Sequence, residues 1–493
     1  MLAALARWSF GTLLVLLAAP LLAAEQKPAP SATKPQAVQK TPVADKKTQA
    51  TTQAAPVADK KTQATTQTAP AADKKTQATT QTAPAADKKT QATKTPSASV
   101  KKAPPPPAMD WKAGVARAKI TPDTLMWMAG YAARKQPAEG TLQDLYAKAL
   151  ALEDEGGQRV VLVTLDLIGV LVTVRESVEK QVQEQFKLPP EALVLNASHT
   201  HCGPEYRERT GREEEARNYH KFLETTLVRL VGEALADLRP ARLTYNHARA
   251  GFAMNRRRNY ALPADDVNAK KAPNPDGPVD HDVPVLCVLD AEGNQRAVMF
   301  GYACHNTTLG FYQFCGDYAG WAQEYLQADH PGMTALFMMG CGADQNPYPR
   351  REVELAQRHG RSLATGVEAA LFANPRPLHG SLRSALEYVD LPWADESKEK
   401  RHYPVQVLRI GNDITLVTLA SEVVVDYSLR LKRELAHPPG LVWVAGYTNG
   451  YFGYIPSERV LAEGGYEAPE YAPGIEERII GKALELYRRL DSE

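Results

Sequence analysis

Residues 109–493 are predicted to form a single large mixed-sheet domain, α/β or α+β in class. Three observations lead there. The composition changes near residue 108 from a low-complexity run to a globular mixture. The ~385 residues that follow are enough to bury a large core. Strand-like and helix-like runs then succeed one another without the regular alternation of a purely parallel sheet, which argues for mixed pairing.

The domain is preceded by two segments of different physics. Residues 1–24 have the features of an export signal, with Arg7 in the charged start, Leu13–Leu17 as the apolar centre and Ala23-Ala24 as small residues at a cleavage site. An uncleaved N-terminal anchor is the alternative, but the apolar run is shorter than the ~20 residues a spanning helix needs. The expectation is an exported protein, periplasmic or extracellular. Residues 25–108 repeat a unit with Asp45, Asp59, Asp73 and Asp87 at equivalent positions. The units lack the large apolar side chains that a stacked repeat buries, so ordering them costs entropy with nothing to offset it. This Lys-rich stretch reads as a disordered linker ending in Pro104–Pro107. It is suited to peripheral contact with a membrane or anionic envelope polymers, or to serving as a solvated spacer.

Lys and Arg total 58 against 57 Asp and Glu. With the linker Lys-rich, the globular part is mildly acidic and carries no basic stripe, which excludes nucleic acid as a partner class. The five cysteines, Cys202, Cys287, Cys304, Cys315 and Cys341, form no CxxC pair, so a cysteine-rich zinc or iron–sulfur site is not indicated.

Along the domain, Trp111–Ile120 alternates as a strand and ends at Thr121-Pro122. Residues 145–153 and 158–167 are strands around the Glu155-Gly156-Gly157 turn. A helix over 175–186 stops before Pro189-Pro190, and a strand over 192–197 runs into Ser198-His199-Thr200-His201-Cys202-Gly203-Pro204. A helix is predicted over 213–238, a hairpin over 282–289 and 296–303, a helix over 319–328 and a short buried strand over 334–339. A long helix follows over 352–372. Strands at 381–391, 404–410 and 413–419 precede a helix over 423–435, a strand over 441–445 and a closing helix over 476–490.

Four places could carry chemistry. His199 and His201 sit at i and i+2 at a strand end, where a strand would send both imidazoles to one face as a metal ligand and its neighbour. Satisfied core histidines are the bland alternative. His305 ends a later apolar strand, where functional groups concentrate, or is a hydrogen-bonded turn residue. Glu422 follows the buried run Leu416–Ser421, and a carboxylate there needs a partner, a metal or a helix N-terminus. The aromatic stretch Tyr447–Pro456, with Tyr466-Glu467 beyond it, reads as a binding rim or as ordinary packing. No HEXXH, GxSxG or Walker A motif competes with these.

In their order and flanks, these segments resemble the N-terminal catalytic domain of the neutral, non-lysosomal ceramidases, over roughly residues 111–467. The resemblance is carried by Gly114–Pro122 with Met128-Ala129-Gly130-Tyr131, by Ala197–Pro204 as its most specific motif, and by Asn255-Arg256. It implies a zinc ion held by His199, His305, Glu422 and a tyrosine of the Asn449-x-Tyr451-x-x-Tyr454 stretch, Tyr454. It implies further that His201, Arg256 and Tyr466 line the site. Zinc would then activate water to cleave an N-acyl amide of a lipid or other small molecule. Two departures accompany it. Asn346 stands where the family carries a serine proposed as nucleophile, leaving Asn346 to orient substrate through its amide. The sequence also stops before the immunoglobulin-like domain with which the family continues. The alternatives are a catalytically silent envelope-binding protein and a zinc hydrolase acting on a non-lipid amide or ester.

Overall fold

The computed structural model describes residues 109–267, 269, 273–436 and 440–492, so the predicted export signal and linker lie outside the described residues. Described strands and helices interleave in one mixed α/β domain with two main sheets.

The larger sheet is built from β1 (Trp111–Lys119), β2 (Tyr146–Asp154), β3 (Arg159–Leu165), β4 (Leu193–Ala197), β5 (Arg239–Arg249), β6 (Asp282–Leu289), β7 (Gln295–Tyr302) and β8 (Thr334–Met339). Its order is β8-β7-β6-β5-β1-β2-β3-β4, with the short strand Arg376–Pro377 added against β5. The pairs β3–β4 and β7–β8 are parallel, and the other neighbours in that order are antiparallel. The smaller sheet orders β9 (Leu382–Leu391), β10 (Arg401–Ile410), β11 (Ile414–Leu419) and β12 (Leu441–Ala445), with β11 and β12 parallel.

Both sheets are covered by helices, which explains their nearly continuous apolar strands. Every residue of β4, Leu-Val-Leu-Asn-Ala, is buried. Helices α1 (Val172–Phe186) and α2 (Glu213–Ala236) pack together, and α2 also packs on β1 and β2; α3 (Asp317–Asp329) packs on β8, and α4 (Val353–Phe372) on β5 and β6. Helix α5 (Val425–Glu434) follows β11. The short helix α6 (Glu458–Glu463) precedes α7 (Ile475–Ser492), which lays Ile475, Ile479, Ala483, Leu486 and Leu490 on β9 and β10. That spacing is the stripe a helix of 3.6 residues per turn presents to a core.

The predicted elements are present with shifted ends. Three are recovered residue for residue, Asp282–Leu289, Thr334–Met339 and Leu441–Ala445. The main omission is β5, an 11-residue strand between β1 and β6. Ala241, Leu243 and Tyr245 alternate inward along it, but its arginines and Asn246-His247 dilute the apolar signal.

The parallel strands place the chemistry. Loops leaving the carboxyl ends of β4, β7, β8, β11 and β12 meet at one point, the position where open α/β sheets build sites. Asn196 of β4, fully buried, ties three of these ends together. Its Nδ2 donates to Gly446 O at 2.7 Å, Thr448 Oγ1 at 2.9 Å and Met339 O at 3.3 Å, and its Oδ1 accepts from Met339 N at 2.8 Å. No described helix is long and apolar enough to cross a membrane.

Candidate metal centre

The loop after β4 carries His199 and His201, but not as a pleated pair. β4 ends at Ala197, and His199 adopts the left-handed conformation with φ 61°. The strand geometry expected for this pair is therefore corrected: a turn brings the rings together, with centroids 4.8 Å apart and nearly perpendicular. Left-handed residues other than glycine recur around the same point at Ser421, just before Glu422, and at Tyr447 and Asn449. Such conformations cost energy and persist where the surroundings over-determine them, often at functional sites.

His305, wholly buried, arrives from the end of β7. Its Nδ1 lies 2.7 Å from Gly342 O, and His199 Nδ1 lies 2.6 Å from Ile168 O. A carbonyl accepts only, so each ring carries its proton on Nδ1 and turns an Nε2 lone pair inward. Those two Nε2 atoms are 3.2 Å apart, and each lies 3.3 Å from Glu422 Oε2. A tetrahedral ion with ligand bonds of about 2.0 Å has ligand–ligand edges of about 3.3 Å. His201 Nε2 stands 3.1 Å from His199 Nε2. His199, His201 and His305 together form a buried cluster able to coordinate a divalent metal.

The electrostatics agree. Glu422 Oε2 and His201 Nδ1 are buried without a hydrogen-bond partner. Burial pushes the Glu422 carboxyl up, but His199 and His305 outweigh it and hold the group well below the usual carboxylate range. Burial drives His305 down to about 3, helped by Arg256. Burial drives His201 down as well, with His199 and His305 adding to it. Neutral His201 and His305 beside an ionised Glu422 are in the protonation states a metal requires.

Two small strand pairs deliver the surrounding groups. Glu422–Val423 pairs in parallel with Tyr454–Ile455, setting Glu422 opposite Tyr454. Gln345–Pro347 pairs with Ala253–Asn255, setting Asn346 opposite Met254 beside Arg256. Arg256 donates from Nη2 to Tyr454 Oη at 3.0 Å, from Nη1 to Asn346 Oδ1 at 3.3 Å and from Nε to Glu467 Oε1 at 2.9 Å. Asn346 Oδ1 also accepts from Thr307 Oγ1 at 3.2 Å. Tyr466 is 77% exposed and packs edge-on against Tyr454, with ring centroids 5.1 Å apart, on the rim. The structure thus gathers all eight expected residues in one neighbourhood. Tyr454 meets Arg256 through its hydroxyl, whereas Tyr451 donates to Glu422 Oε1 at 2.9 Å.

Three contributors stood out in the sequence only as members of their stretches, with no role of their own. Tyr447 lies on the His199 ring at 4.4 Å, and Tyr131 on the His201 ring at 4.7 Å. Glu467 holds both Arg256 and Arg257, its Oε2 accepting from Arg257 Nη1 at 2.9 Å. The signal for Glu467 was its place beside Tyr466; Tyr131 had only its place in the opening motif. Gly130, with φ 93°, lies against His201, where a methyl group would overlap the ring, and Gly169 is in the same relation to Tyr451. Glycine is needed at both for close approach.

Residues 111–336 match the family model for the neutral/alkaline non-lysosomal ceramidases, N-terminal domain. The matched span includes His199, His201, Arg256 and His305. The ceramidase-like fold extends further. The crystal structure of neutral ceramidase from Pseudomonas aeruginosa superposes with a TM-score of 0.65 at 19% identity, covering 78% of this chain and 75% of that one. A ceramidase complexed with C2 gives 0.66 at 18% identity, covering 78% and 76%. At these identities the two structures show a shared fold. This ceramidase-like fold therefore encloses a buried three-histidine cluster suited to hold a catalytic metal, consistent with a metal-activated amide hydrolase.

Proposed function

We propose that the protein is an exported zinc-dependent hydrolase that cleaves an N-acyl amide, of a ceramide-like lipid or another small molecule, with water as the nucleophile. The carrying observation is the near-equilateral triangle of His199 Nε2, His305 Nε2 and Glu422 Oε2, with both imidazole protons pinned on Nδ1. Mixed imidazole and carboxylate donors fit zinc. His199, His305 and Glu422 would hold it, with Tyr454 as the fourth protein ligand, supported by its register with Glu422. Zinc supplies Lewis acidity and a water acidic enough to react near neutral pH.

The chain's own groups provide the rest. His201, neutral and within 3.1 Å of His199, is placed to accept a proton from the attacking water. Arg256 stays protonated, because Tyr454 and Glu467 raise its pKa against the effect of burial. It can donate to the oxygen on which negative charge develops, and losing such a donor typically costs about 3 kcal/mol. Asn346, oriented by Arg256 and Thr307, leaves its amide nitrogen for the substrate, and Tyr466 forms the outer wall. No serine is required by this route.

A panel of N-acyl amides tests the proposal, assayed with the full chain before and after chelation and zinc return. Hydrolysis that is lost with chelator, restored by zinc and reduced at least 100-fold in E422Q is expected. Turnover indifferent to chelator would refute it, and a metal-loaded protein inert to every amide and ester would favour the binding-protein alternative.

A further inference from the structure

The turn that follows Asn346 carries two guanidinium groups with no part in the scheme above. Arg350 is half-buried and Arg351 exposed, and neither forms an ion pair with a carboxylate among the described residues. Arg351 takes a left-handed backbone, φ 96°, and its amide donates to Thr308 O at 2.6 Å, three residues beyond His305. Its guanidinium carbon lies 5.6 Å over the Tyr131 ring, the ring that packs against His201. Arg134 approaches the same ring at 4.9 Å, its hydrogen bonds already made to Ala129 O and Phe311 O.

Nearby carboxylates are committed elsewhere. Asp317 accepts from the backbone amides of Thr308, Leu309 and Tyr318, and Glu467 is shared by Arg256 and Arg257. Burial works against the charge on Arg350, and so do Arg351 and Arg256. Two adjacent guanidiniums without a carboxylate partner, one of them over the ring that packs against His201, suit recognition of an anion.

We propose that Arg350 and Arg351 are specificity residues that receive a carboxylate borne by the substrate near its scissile amide, making the substrate class N-acyl amino acids rather than neutral N-acyl amides. The site's location rests on the hydrolase proposal, whereas the binding preference can be measured without turnover.

The test compares N-dodecanoylglycine with neutral N-dodecanoylglycinamide on the zinc-loaded full chain, by calorimetric binding and by hydrolysis. At low salt the acid should bind about tenfold tighter, as a charge-assisted contact commonly provides. That advantage should shrink with added salt and fall to less than twofold in R350A/R351A, while R350K/R351K keeps part of it. Zinc content and circular dichroism of the variants establish that they fold. A preference that survives in R350A/R351A would assign the carboxylate to the metal and overturn the inference, as would equal binding of the two compounds or binding of neither. An arginine-dependent preference without hydrolysis would support the carboxylate site and count against the hydrolase proposal. Equal hydrolysis of both would do the reverse.

Discussion

Tyr451 shows how a single side chain shapes the centre. Its phenol donates to Glu422 Oε1 and so leaves Oε2 to face His199 and His305. Groups that orient a metal ligand typically matter 10–100-fold in affinity. Y451F should therefore weaken zinc binding by about that factor, read by competition with a chromophoric chelator, while an unchanged affinity would remove Tyr451 from the metal's surroundings. Asp344 carries a pH signature. It is fully buried beside Asp426, and burial first, then that neighbour, raises its pKa to about 6. A raised carboxyl contributes stability that is present below its unfolded value, near 4, and is lost as pH climbs through the folded value. Its share of stability should fall by up to ~3 kcal/mol between about pH 4 and 6, and D344N should flatten that part of the profile in urea unfolding.

At the scale of elements, the centre depends on loops held by few polar ties. Asn196 joins the ends of β4, β8 and β12 through four hydrogen bonds. N196A would strand the Met339 amide in a dry interior, while the Gly446 carbonyl keeps its bond from the Thr448 hydroxyl, at a cost of about 1–3 kcal/mol. The expected result is a lower unfolding midpoint together with weaker zinc binding, because His199 lies three residues beyond. A loss of stability with metal affinity intact would mean that the loops hold their shape without this tie.

The same scale explains what was legible in the sequence. Leu441–Ala445 and Thr334–Met339 announce themselves as short apolar runs bounded by glycine. His305 and Glu422 were visible because each ends such a run. The two-residue pairings that set Glu422 against Tyr454 were not visible, since they leave no periodicity to read. Nor was the left-handed His199, because an i, i+2 spacing looks the same whether a strand or a turn follows. The choice between Tyr451 and Tyr454 as the group touching Glu422 depended on that unseen register.

For the whole molecule, the two sheets meet at the centre rather than each enclosing its own. His199 and His305 leave the large sheet, while Glu422 and Tyr451 follow strands of the small one. A metal held by these residues would tie the two sheets together and would stabilise the folded state by mass action, by about 2.7 kcal/mol at a free concentration 100 times Kd. Arg256, held by Glu467 and Tyr454, spans the same junction on its outer side. The most direct test is elemental analysis of the purified full chain beside H199A/H305A. About one zinc per wild-type chain is expected, lost in the double variant. A wild type that stays free of metal after zinc is supplied, or a double variant that keeps it, would rule out a metal centre at His199 and His305.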